Sequence, residues 1–200
     1  MSPRKSVAET AATRDRIIGS ALALASAEGL EGLTIGRLAA DLAMSKAGVI
    51  GHFGSKEALQ LAVLDAAVER FTLRVPARAV GARPGTERLA RAYDEWIAYM
   101  AEGEGHGGCF LTSVATEFDG RPGPVRDAVL AALDTWTAYV KAEIDTGIGV
   151  GELPEDTDAD QLAFELGGVV LAAGQSVKLH RDPQAPDRAR RAVARLLGAP

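Results

Sequence analysis

The chain has 200 residues, a 47 % hydrophobic composition and a formal net charge of −5, enough apolar material to bury the core of one or two domains. No apolar run approaches the roughly 18 to 20 residues needed to span a bilayer. The basic start Met1-Ser2-Pro3-Arg4-Lys5-Ser6 leads into a polar helical pattern rather than the apolar stretch of a secretory signal. A single cysteine, Cys109, excludes an internal disulfide and a Cys-based zinc site and fits a reducing compartment. These features predict a cytoplasmic protein without a membrane partner.

Charge is divided unevenly along the chain. Residues 1–56 hold seven basic side chains (Arg4, Lys5, Arg14, Arg16, Arg37, Lys46, Lys56) against five acidic ones (Glu9, Asp15, Glu28, Glu31, Asp41). That segment is +2, which leaves −7 for residues 57–200. A mildly basic head on an acidic body keeps a nucleic-acid partner open despite the negative total.

The apolar spacing is helical almost throughout and no strand is predicted, so the fold class is all-α. The first helix is expected over 9–28, with Ile17, Ile18, Ala21, Leu24 and Ala25 inward and Gly29 as its C-cap. A second starts at Thr34 as N-cap and sets Ile35, Leu38, Ala39 and Leu42 on one face. A short third helix begins at Ser45. A fourth begins at Ser55 and places Leu59, Ala62, Val63, Ala66 and Phe71 together. Longer helices are predicted over 86–103, 108–118, 123–146, 157–180 and 186–197, joined by Gly- and Pro-containing connections that include residues 76–85. Short connections between long helices favour an antiparallel bundle. The expected division is a small-helix domain over 1–56 and a helical body over 57–200.

The informative segment is TIGRLAADLAMSKAGVIGHFGSKEAL, Thr34 to Leu59. Two short helices separated by Ala43-Met44 form a helix-turn-helix, a unit that presents its second helix to a DNA major groove. Ser45 caps that helix, where free backbone N–H groups also favour a phosphate. Lys46 lies in its first turn, Ala47 and Gly48 are small enough for close approach to base edges, and Val49 and Phe53 anchor it inward. Lys56 lies beside the next helix N-terminus. The candidate DNA-binding residues are Thr34, Arg37, Ser45, Lys46, Ala47, Gly48, Ile50, Gly51, His52 and Lys56.

With the capped helix before it and the string His52-Phe53-Gly54-Ser55-Lys56-Glu57-Ala58-Leu59 after it, the motif over about 10–60 resembles the tetracycline-repressor-like (TetR) family of bacterial transcriptional regulators. The resemblance implies a homodimer with an N-terminal three-helix DNA-binding domain and a C-terminal helical bundle. That bundle would bind a small-molecule effector and pair through the last two long helices. Two positions depart from the family pattern: Ala43 stands where glycine is usual in the turn, and Ile50 where tyrosine is frequent. Ile50 and Gly51 cannot give the hydroxyl contact to phosphate that tyrosine gives, a loss that the basic tail Arg4-Lys5 would offset.

The body carries both tryptophans. Trp96, Tyr99, Met100, Phe110, Val114, Trp136 and Phe164 are candidates to line an effector pocket, since such sites are mostly apolar; ordinary core packing is the competing reading of each. Gln161 to Val177 is apolar around much of its circumference and rich in small residues (Gly167, Gly168, Ala172, Ala173, Gly174), suited to close helix packing between subunits. The glycines around His106 lack the Gly-Lys-Ser/Thr of a phosphate loop, and those at 147, 149 and 151 imitate a dinucleotide motif no better. The acidic run Glu152, Glu155, Asp156, Asp158, Asp160 lacks calcium-loop spacing and suits a helix start. No catalytic, metal or cofactor constellation emerges. The leading expectation is a ligand-responsive transcriptional repressor acting on a palindromic operator in double-stranded DNA. The alternative is a helical small-molecule-binding protein or enzyme whose helix-turn-helix is only structural.

Overall fold

The computed structural model describes residues 7–102 and 109–198. The basic tail residues Arg4 and Lys5 and the glycine segment around His106 lie outside the described residues. Ten helices follow one another among those described: α1 (Val7–Glu28), α2 (Ile35–Asp41), α3 (Lys46–Phe53), α4 (Lys56–Arg74), α5 (Pro76–Ala79), α6 (Thr86–Glu102), α7 (Phe110–Phe118), α8 (Pro124–Gly149), α9 (Ala159–Lys178) and α10 (Ala185–Leu196). None is long and apolar enough to cross a membrane.

The helix starts follow from side chains that satisfy otherwise orphaned backbone N–H groups. Thr34 Oγ1 accepts from Arg37 N at 3.2 Å and Ser45 Oγ from Gly48 N at 3.0 Å. Ser55 Oγ accepts from Ala58 N and Asp158 Oδ1 from Gln161 N, each at 3.0 Å. The acidic run before α9 therefore includes its N-cap. Glu152, in the same run, accepts from both the backbone N–H and the hydroxyl of Thr86. One expectation is corrected: residues 76–85 are not wholly a connection. Pro76, with its φ fixed and no N–H to lose, opens the four-residue α5. A second correction is that α8 runs on to Gly149, because Gly147 stays helical beneath Thr86 and Leu153.

The chain divides into two compact units. One comprises Met1–Val68 with Ser113–Val129, the other Glu69–Thr112 with Leu130–Pro200. In the first, Ile17, Ala21, Ala25, Leu30, Leu38, Val49, Leu59 and Val63 form the buried interior. On α4 it is Ala67, rather than Ala66, that is fully buried. In the second, Phe71, Leu89, Tyr93, Trp96, Ile97, Met100, Ile144, Leu166 and Val170 belong to one core cluster. Cys109 is buried in that cluster, and burial lifts its thiol above the ordinary range, as a small hydrophobe rather than a reactive thiolate.

Candidate nucleic-acid interface

The turn between α2 and α3 is tight. Ala43 has φ +50°, the left-handed region that a Cβ disfavours. It is held there by Ala43 N–H donating to the Ala40 carbonyl at 3.1 Å and Met44 N–H to the Ala39 carbonyl at 2.8 Å. Val49, fully buried, fixes α3 to the interior, while Phe53 lies under the Arg14 guanidinium, 4.9 Å from its ring centre. Those two anchors determine which side of α3 is left outward.

That side carries Lys46, Ala47, Ile50 and Gly51, all exposed, with Gly48 and His52 half-buried. His52 tilts against Phe53 with centroids 6.4 Å apart. Gly48 is confined, since a Cβ there would stand 3.1 Å from Ser45 Oγ. The stem of Lys46 crosses α2 at Gly36, where a Cβ would lie 3.2 Å from Lys46 Cε. Gly36 thus makes room for a lysine that has no ion-pair partner among the described residues, and the sequence reading missed this pairing.

The other candidate cations are engaged. Arg37 Nε lies 3.2 Å from Asp41 Oδ2, and its Nη1 3.5 Å from Glu28 Oε1. Lys56 Nζ donates to the Glu31 carbonyl at 2.7 Å and stands 3.4 Å from the Glu31 carboxylate. A hydrogen bond from Gln60, helped by Lys56 and Arg121, holds the Glu31 carboxyl below the usual carboxylate range against the opposing effect of burial. Exposed pairs of the Arg37 type cost little to exchange for a phosphate, whereas Lys56 is tied to backbone as well.

The body residues proposed as pocket lining separate into groups. Trp96 and Met100 are buried and Tyr99 and Trp136 pack against them in the core cluster of the second unit. Trp96 and Trp136 meet edge to face at 4.9 Å, and Phe71 meets both, at 5.2 and 5.3 Å. Phe71, Tyr93 and Tyr139 belong with them, although the sequence reading did not include them. The Tyr139 hydroxyl is buried without a hydrogen-bond partner among the described residues. Phe110 is buried outside this cluster, and Val114 is interior to the first unit. Phe164 departs furthest from the pocket expectation. It lies two residues from both Leu162 and Leu166, which turn inward, and so points outward with 77 % exposure. An open groove of about 250 Å³ lies between α6 and α10, lined by Thr86, Ala90, Asp94, Ile97, Arg190 and Val193. Arg190 Nε donates to Asp94 within it at 2.6 Å.

Two family models match the chain: "Bacterial regulatory proteins, tetR family" over residues 17–63, and "Tetracyclin repressor-like, C-terminal domain" over residues 85–193. Among solved structures, the chain is similar to a TetR transcriptional regulator from Chloroflexus aurantiacus J-10-FL. The two share 27 % identity over 96 % of this chain and 97 % of that one, with a TM-score of 0.88. A transcriptional regulator from Saccharomonospora viridis in complex with choline shares 25 % identity over 94 % and 96 % of the two chains, with a TM-score of 0.79. AibR, solved with isovaleryl coenzyme A and operator DNA, has the same fold at 22 % identity, covering 93 % and 98 %, with a TM-score of 0.77. No curated protein sequence matches the chain.

Proposed function

Because the chain belongs to the TetR family of bacterial regulatory proteins, we propose that it is a ligand-responsive DNA-binding transcriptional regulator, and specifically a dimeric repressor released from a palindromic operator by a small-molecule effector. The observation that carries this reading is the outward side of α3: a capped helix, anchored by Val49, that offers small residues and the Lys46 ammonium, which has no ion-pair partner among the described residues. Small side chains let a helix approach base edges, and a free ammonium near phosphate supplies the salt-dependent part of affinity. Arg37, Ser45 and Thr34 sit around it as backbone-contacting groups, and the DNA-binding domain comprises residues 1–56. A regulator of transcription acts where the chromosome is, in the cytoplasm.

The body over 57–200 takes the effector and the second subunit. The aromatic cluster around Trp96 and Trp136, with the unpartnered Tyr139 hydroxyl at its edge, supports an apolar effector site there. The relatives solved with choline and with isovaleryl coenzyme A are consistent with a small ligand. Phe164 and Leu171, exposed on α9 with the half-buried Gly167 and exposed Gly168 between them, support pairing of α9 with the same face of a second copy. Effector then acts by population shift, binding the DNA-incompetent arrangement of the dimer more tightly than the competent one.

Lys46→Ala tests the interface. On the preferred duplex it should weaken binding across sequences and lower the salt slope by about 1.8, the contribution of two phosphates in B-DNA, one for each subunit of the dimer. An unchanged slope would remove Lys46 from the interface.

A further inference from the structure

The outward side of α3 is poor in side chains that could hydrogen-bond to a base. Ser45 Oγ and Thr34 Oγ1 each accept a capping N–H, which places them at the starts of α3 and α2. Arg37 is held by two carboxylates, and Lys56 by the Glu31 backbone and carboxylate. Ala47, Gly48 and Gly51 carry no polar side chain. What remains is the ammonium of Lys46, the half-buried imidazole of His52, and one aliphatic side chain, Ile50, at 42 % exposure. Among the described residues of the first unit, only Val7 and Ile50 are large hydrophobics left exposed. Lys46 and Ala47 stand four and three residues before Ile50, on the same helix face.

A single exposed isoleucine is ordinary on a protein surface; on the side of a helix offered to DNA it is an apolar group open to contact. In the major groove each base pair offers a distinct edge, and the group that an aliphatic side chain recognises is the C5-methyl of thymine. We propose that Ile50 is a specificity-determining residue that reads a thymine methyl in each operator half-site. The base pair beneath Ile50 is therefore T·A, chosen through apolar contact rather than hydrogen bonding. This inference rests on the regulator reading above and adds the chemistry of the base recognised.

The test uses the full chain and a duplex enriched by it from random DNA. That duplex is resynthesised with deoxyuridine replacing thymidine one position at a time, which removes a single methyl and leaves the hydrogen-bonding edge intact. One position per half-site should bind about four-fold more weakly, the effect of one buried methyl-sized group. With Ile50→Ala, the thymidine and deoxyuridine duplexes should bind equally, while both still exceed a scrambled duplex. An enriched duplex indifferent to uracil at every position would overturn this inference and leave the regulator reading intact, as would Ile50→Ala retaining the full thymine preference. Failure to enrich any duplex would overturn both.

Discussion

The carboxylate of Glu117 lies 2.8 Å from the point where a Cβ on Gly29 would stand, because it reaches past that residue to accept the backbone N–H groups of Leu30 and Glu31, each at 2.8 Å. Gly29 itself sits at φ +87° just past the end of α1. Glycine is thus required twice there, for its backbone angle and for the space the carboxylate occupies. A side chain late in the sequence, on α7, thereby fixes the loop that leads into the helix-turn-helix.

Glu117→Ala should destabilise the first unit by about 2 kcal/mol, the usual range for losing hydrogen bonds to a charged acceptor. Glu117→Gln, which keeps a neutral acceptor, should fall between. Amide exchange at Leu30 and Glu31 gives the local readout: both should exchange faster in the alanine variant. Unchanged protection would show that the loop is held by other contacts.

Ala43→Gly should stabilise the protein by about 0.5 to 1 kcal/mol, since relief of the left-handed alanine exceeds the added freedom of glycine in the unfolded chain. The midpoint of urea unfolding, at unchanged slope, checks this. A loss of stability would mean that the φ of +50° is not strained in solution.

Acid should loosen the head through Glu31. Its carboxyl is held below the ordinary value of 4.5, chiefly by the hydrogen bond from Gln60. A carboxyl with a depressed folded-state value contributes stability that is complete above its unfolded value and is lost as pH falls through the folded one. The stability gap between wild type and Glu31→Gln should therefore be present at about pH 6 and close progressively below 4.5. A gap that stays constant through that range would contradict the assignment.

On α9, Phe164→Asp combined with Leu171→Asp should convert the protein to a monomer of 20.9 kDa by light scattering. Operator affinity should fall at the same time, because the two half-sites would then be bound independently. A dimer that survives both aspartates would move the interface away from this face.

Much of the architecture is legible in the sequence because it is written in local chemistry. Thr34, Ser45 and Ser55 precede helices and cap them in the structure. Gly29 ends α1 with the positive φ that its position implies. The four-residue α5 is not legible, since one turn is too short to show a period and Pro76 reads equally as a breaker. The pocket residues are the least legible. Helical spacing says that Trp96 and Phe164 are apolar, but only tertiary packing decides that one is enclosed by Phe71 and Trp136 while the other faces outward. Partners distant in sequence, such as Gly36 with Lys46 or Leu30 with Glu117, leave no local pattern at all.

The central claim is that α3 reads a specific DNA sequence, and selection of bound fragments from genomic DNA with the purified protein at two salt concentrations tests it most directly. The account predicts enrichment of one palindromic site whose half-sites lie about one helical turn apart, with affinity falling steeply as salt rises. Weak, uniform binding to all fragments, or none, would contradict it.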